Sequence, residues 1–165
     1  MSKLSQIPHS AVRSTIGNMS FGAGAIAIGA TPAALTSTTA IVTMIDGIKR
    51  SVAAFTNQAL ISGGDPLRVQ PALTTVYYTV AANAANQVRV FQGRYIGEPF
   101  NNSVGVSAVG DGYVPDVPDG FAPLAVLKIT TGAATSFIPG TTALNAALVV
   151  TTITEVGMLG SIDRP

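Results

Sequence analysis

Short runs rich in Val, Ile and Thr recur along the chain and are separated by Gly and Pro. β-branched side chains pack well on a pleated strand, whereas Gly and Pro interrupt helices and form turns. The chain has 17 Gly and 10 Pro in 165 residues, and no helix-period stretch with good caps appears. The sequence therefore predicts an all-β fold, an antiparallel β-sandwich or barrel-like domain. The best helical candidate is the short piece 141–147.

Two hairpins are predicted from local sequence. The clearest lies between Thr39 and Phe55, where two β-prone runs flank Asp46-Gly47. Asp-Gly favours a type I′ turn because both central residues of that turn have positive φ. A second hairpin, with a longer loop, is predicted from the runs 74–81 and 87–92.

Three further strands and one anchored turn complete the predicted elements. Strands are expected at 21–30, 121–130 and 148–156, where apolar and β-branched residues concentrate. The segment 136–140 contains Pro and Gly and is predicted to be a turn held by an apolar anchor, Phe137.

Composition along the chain divides it into three parts. Residues 1–20 lack a clean period and are interpreted as an extended N-terminal arm. Residues 21–156 form the single β domain, and 157–165 form a C-terminal tail. Within the domain, 93–120 is predicted to be a long loop because Gly, Pro, Asn and Asp cluster there. Loops of this length in compact domains are usually functional or mobile.

The small number of charged residues argues against some classes of protein. Only 10% of residues are charged and the net charge is +1, which argues against binding nucleic acid or an anionic membrane by charge alone. Mean hydropathy is +0.44, but Thr and Pro interrupt the long charge-free stretches 14–45 and 129–154, so neither is predicted to span a membrane. The absence of Cys excludes disulfides and thiolate chemistry.

Residues suited to catalysis are few. His9 is the only histidine and lies in the predicted arm, and no G-x-S-x-G motif is present. Asp111, Asp116 and Asp119 could bind a cation or act as paired carboxylates on a carbohydrate, but their Asp-Gly and Pro neighbours favour turns. No enzyme activity, metal or cofactor is therefore predicted.

Four segments between residues 38 and 144 carry a resemblance to a known type of protein. They are TTAIVTMIDGIKRSVAA, QPALTTVYYTVAANAANQVRV, VPDGFAPLAVLKIT and SFIPGTTAL. In this order they resemble small virion structural proteins of tailed bacteriophages. The resemblance implies a capsid decoration (cement) protein, commonly a homotrimer, that is made in the host cytoplasm and binds the major capsid protein on the capsid exterior.

Low charge is consistent with such a role, because obligate interfaces are depleted of charged residues at their core. A tail, baseplate or fibre component that contacts the host surface is the alternative. The residues predicted to make contacts lie in the arm and in the long loop: Lys3, Ile7, His9, Val12, Arg13, Tyr95, Phe100 and Tyr113.

Overall fold

The computed structural model describes residues 18–94, 96–97 (backbone only) and 114–156. These residues form eleven strands and no helix, so the all-β prediction is confirmed and none of them belongs to a helix able to cross a membrane. The strands are β1 (Met19–Ser20), β2 (Ile26–Ile28), β3 (Ala34–Ser37), β4 (Ile41–Ile45), β5 (Ile48–Val52), β6 (Phe55–Ala59), β7 (Thr74–Asn83), β8 (Val88–Gln92), β9 (Ile96–Gly97), β10 (Phe121–Thr131) and β11 (Val149–Glu155).

The strands form three antiparallel sheets. Two are three-stranded, with the orders β1-β4-β5 and β2-β3-β6. The third has the order β11-β10-β7-β8, and β9 pairs with the far end of β7. Among the described strands no sheet closes on itself, so the arrangement is sandwich-like and the barrel-like alternative is not adopted.

Both predicted hairpins are confirmed. β4 and β5 pair in register up to Ile45 and Ile48, and the turn residues Asp46 and Gly47 have φ values of 53° and 71°. These two positive values are what a type I′ turn requires. In the β7–β8 hairpin, the Oδ1 atom of Asn83 accepts hydrogen bonds from two backbone N–H groups of the loop at 3.0 Å.

The core lies between the sheets and is built by alternation along the long strands. On β7, Val76, Tyr78 and Val80 point inward, and on β10 Leu127 and Ile129 do the same; all five are fully buried. Alternate side chains of a strand lie on opposite faces, so Thr75, Tyr77 and Thr79 of β7 and Val126, Lys128 and Thr130 of β10 lie on the other side of the sheet.

Gln70 is a fully buried polar side chain whose hydrogen bonds all lie within the protein. Its Nε2 group donates to the carbonyl oxygens of Thr74 at 3.0 Å and Ile129 at 2.9 Å. Its Oε1 atom accepts a hydrogen bond from the Tyr78 hydroxyl at 3.1 Å. Burial raises the pKa of Tyr78, and a hydrogen bond from Gln92 partly opposes that rise. The phenol is therefore neutral and acts as a donor to Gln70.

The anchor predicted at Phe137 is confirmed. Phe137 is fully buried and contacts Tyr78 edge to face, with 6.2 Å between the ring centroids. Its backbone exchanges two hydrogen bonds with Gln70, at 2.8 and 2.9 Å. The loop between β10 and β11 is thereby fixed to the segment before β7.

The helix suggested at 141–147 is wrong. The backbone there makes separate turns: the N–H groups of Thr141 and Thr142 both donate to the Ile138 carbonyl. Gly140, with φ of 76°, precedes them in a left-handed conformation that does not start a helix. A piece this short does not recover the cost of helix nucleation, so local turns prevail.

Candidate interaction surface

The contact residues predicted from the sequence, and Asp111, lie outside the described residues, so their predicted roles stay predictions. The contact residues are Lys3, Ile7, His9, Val12, Arg13, Tyr95, Phe100 and Tyr113.

Two of the acidic residues considered as a cation site or a carboxylate pair are described. Asp116 and Asp119 are both exposed. Asp119 belongs to a turn in which the Phe121 N–H donates to the Pro118 carbonyl at 3.3 Å and Gly120 has φ of 83°, which confirms the turn interpretation there. Across the described ranges, no three His, Cys, Asp or Glu side chains come together as a metal site would require.

The sheet with the most strands has one side that points away from the core, here called the outer face. The register of β7, β10 and β11 places its side chains in three rows: Thr75, Thr130 and Val150; Tyr77, Lys128 and Thr152; Thr79, Val126 and Thr154.

Charge is almost absent from these rows. Lys128 is their only charged side chain, and its Nζ atom lies 6.0 Å from the centroid of the Tyr77 ring. Arg89 of β8, which pairs with Ala81, lies on the same side of the sheet outside these rows. Val150 is 65% exposed although it is apolar. Threonine and valine dominate the rest, so the face offers methyl groups and hydroxyls on a pleated surface.

One end of the outer face is covered by the chain itself. The Thr79 hydroxyl donates to the Pro115 carbonyl at 3.0 Å, and Phe91 contacts Phe121 edge to face with 5.3 Å between centroids. Gly63 lies against Phe91 so closely that a Cβ atom at this position would be 2.3 Å from the ring. The open part of the outer face is therefore the part nearer β11.

The Glu155 carboxylate connects β11 by hydrogen bonds to the segment that contains the start of β2. The two oxygens of Glu155 accept hydrogen bonds from the N–H groups of Gly24 and Ile26, each at 2.6 Å. Gly24 has no room for a side chain, because a Cβ atom there would lie 2.4 Å from Ile41. Hydrogen bonds to a charged acceptor contribute more than neutral ones, so this pair holds the end strand in place.

Glu155→Gln is expected to lower the free energy of unfolding by about 1–2 kcal/mol, because the amide group offers one acceptor and turns an N–H donor toward another donor. Urea unfolding monitored by circular dichroism measures this change. Asp116→Asn removes a charge at an exposed position and is the matched control, expected to change stability by less than about 0.5 kcal/mol. Equal losses in the two variants would contradict the role of the Glu155 carboxylate.

Comparisons of the chain with protein-family models, with curated proteins and with solved structures return no match. The fold and the surface define a β-sandwich-like protein in which the outer rows of β7, β10 and β11 carry one charged side chain. A function for it has to be inferred from that surface and from the sequence.

Proposed function

We propose that the protein is a virion structural protein of a tailed bacteriophage, a capsid decoration (cement) subunit that binds and stabilises the capsid shell. The observation that carries the proposal is the outer face, whose rows contain Lys128 as their single charged side chain. A face this poor in charge suits a lasting protein contact, since interface cores are depleted of charged residues.

The proposed partners are the major capsid protein and further copies of the chain, in the homotrimer that the resemblance implies. The resemblance over residues 38–144 supports this choice of partner. The subunit would be made in the host cytoplasm and bind to the capsid exterior. The role needs no catalytic group, metal or cofactor, because stabilisation of a shell requires only that the subunit bind the assembled form more tightly than its separated parts.

Binding to capsids tests the proposal directly. The purified protein is mixed with capsids of the encoding phage that lack it, and the mixture is sedimented. Wild type is expected to sediment with the capsids and to raise the temperature at which they open. Thr130→Lys places a second charge on β10, the middle strand of the three rows, and is expected to weaken binding at least tenfold, or about 1.4 kcal/mol.

Thr56→Lys adds the same charge at an exposed position of β6, in a different sheet, and serves as the control expected to bind like wild type. Absence of wild-type binding to capsids would contradict the proposal. Binding to purified tails in place of capsids would favour the tail, baseplate or fibre alternative.

The predicted role of the arm needs a deletion that spares the sheet. Met19 and Ser20 pair with β4, and the Asn18 side chain accepts a hydrogen bond from the Asp46 N–H at 2.8 Å. A deletion that leaves these contacts intact therefore ends at residue 17. Loss of capsid binding in the shortened chain is expected, and unchanged binding would remove the arm from the proposed interface.

A further inference from the structure

β11 ends the five-stranded sheet and pairs only with β10 among the described strands. In an antiparallel ladder, the backbone groups of alternate residues point toward one neighbour and the others point away. The Val156 N–H donates to the Leu124 carbonyl at 2.9 Å and the Gly132 N–H to the Leu148 carbonyl at 2.7 Å, both in the register of the β10–β11 pair. Even-numbered residues of β11 therefore bond to β10, and odd-numbered residues direct their backbone groups outward.

Three residues present these outward groups: Thr151, Ile153 and Glu155. The N–H of Val149 also points outward, but it donates to the Ala146 carbonyl at 3.0 Å. The backbone groups of the other three have no backbone partner within the described ranges. An extended strand with a row of unpaired N–H and C=O groups is a template for a further strand.

The usual protections of an edge strand are missing from β11. Its sequence, VVTTITE, contains no Lys and no Pro, and its pairing with β10 has no bulge. Its one charged group, the Glu155 carboxylate, is bonded to the amides of Gly24 and Ile26 and does not guard the edge. At the opposite edge, by contrast, the backbone of Ile61 and Gly63 bonds to Val90 of β8 and covers it. Edges left open in this way favour pairing with another chain.

We propose that β11 pairs antiparallel with β11 of a second copy of the chain, about a two-fold axis at Ile153. In this register Ile153 lies opposite Ile153 of the second copy, and Thr151 lies opposite Glu155. All outward backbone groups of the three residues are then bonded in both copies. A shift of the axis to Thr152 would require the N–H of Val149, which is already bonded, and a shift to Thr154 would set Thr151 opposite residue 157, outside β11.

In the same register, exposed side chains of the two copies lie opposite side chains of the same kind. On the outer face, Val150 lies opposite Val156 of the second copy, and Thr152 lies opposite Thr154. Val150 and Val156 are 65% and 37% exposed in the single chain, so pairing removes apolar surface from water. Self-complementary rows of this kind are what a two-fold interface requires. The outer faces of the two copies then form one continuous sheet surface.

This contact does not rest on the proposed function. It is two-fold, and therefore distinct from the contact that would close a homotrimer. A protein that fails to bind capsids can still pair through β11, and a decoration subunit can bind capsids without this pairing, so the two proposals are tested separately.

Mixed cysteine cross-linking tests the register. The chain has no Cys, so Thr152→Cys and Thr154→Cys each carry a single thiol. Residues opposite each other in a non-hydrogen-bonded antiparallel pair have Cα atoms about 4.5 Å apart, within the range of a disulfide, whereas the diagonal separation of about 7–8 Å is too long. Under mild oxidation, a cross-linked dimer is expected in the mixture of the two variants and not in either variant alone.

Thr56→Cys, exposed on β6, is the control for random collisions and is expected to give no cross-link. Absence of a cross-link in the mixture would overturn the proposal, as would efficient cross-linking of Thr152→Cys alone, which would place the axis at Thr152. Light scattering measures the mass of the particles in solution and needs no thiol. The double variant Thr152→Lys/Thr154→Lys sets lysines of the two copies opposite each other, and it is expected to abolish the association by β11. An unchanged mass, with folding verified by circular dichroism, would contradict the edge contact.

Discussion

Replacing Phe137 with Ala is expected to lower the free energy of unfolding by about 3–5 kcal/mol, the range measured when a buried aromatic side chain is truncated. Phe137 is 0% exposed and contacts Tyr78 in the middle of the core. The loss combines the apolar surface that leaves the core with the cavity that remains, because β7, which carries Tyr78, is paired with β8 and β10 and cannot collapse into it. Urea unfolding of the two proteins measures the difference in midpoint.

Ile138→Ala is the matched control. Ile138 is the next residue of the same loop but is 43% exposed, so its truncation is expected to cost less than about 1 kcal/mol. Similar losses at the two positions would show that Phe137 does not anchor the loop through its side chain. A change in the slope of unfolding with urea would indicate instead a change in the compactness of the denatured or native state, or a loss of two-state unfolding.

Gln70→Leu is expected to cost about 3 kcal/mol, the second largest loss among the substitutions considered. Leucine has a similar volume but no polar atoms, so the Ile129 and Thr74 carbonyls each lose the amide donor, although the Thr131 hydroxyl still donates to Thr74 at 3.2 Å, and the Tyr78 hydroxyl loses its acceptor. A buried polar group that is left without its partner costs about 1–3 kcal/mol, and relaxation around the site reduces the sum.

Gln58→Leu makes the same chemical change on β6, where the side chain is half-exposed and bonds only its neighbour's carbonyl, at 3.2 Å. It is expected to change stability by less than about 0.5 kcal/mol. Tyr78→Phe combined with Gln70→Leu is expected to cost less than the sum of the single changes, because both remove the same hydrogen bond. If the stability losses of the two single variants were strictly additive in the double variant, the hydrogen bond between Gln70 and Tyr78 would be contradicted.

Patterns confined to neighbouring residues predicted much of the fold. The β4–β5 hairpin followed from Asp46-Gly47, whose backbone requirement is independent of the rest of the chain. β10 and β11 followed from their apolar and β-branched runs, and the anchor at Phe137 from an aromatic residue set between turn residues. In each of these cases the local preference and the burial of the segment agree.

Elements whose stability depends on distant partners were missed. β3 and β6 were not predicted, and β6 contains Asn57 in a left-handed conformation, with φ of 50°, which no strand pattern indicates. Gln70 lies next to Pro71 in a connection and looks like an ordinary exposed polar residue. Its burial follows from the bridge to Phe137, a residue far along the chain.

The interaction surface was only partly accessible from the sequence. Composition indicated a protein poor in charge, but the collection of uncharged side chains on one face required the register of β7, β10 and β11. The 148–156 run predicted a strand without showing that this strand ends a sheet. An edge is a property of topology, and the pattern of one segment does not contain it.

The order of the strands has a consequence for how the chain is made. β7 forms its hairpin with β8 soon after synthesis, but its longest ladder is with β10, which follows only after the segment 93–120. Until β10 leaves the ribosome, one side of a strand rich in Val and Tyr stays unpaired, and non-local strand pairing is slow. Slower translation prolongs this unpaired state and should therefore lower the soluble yield, and truncation before Phe121, which removes β10 altogether, should send the nascent product into aggregates.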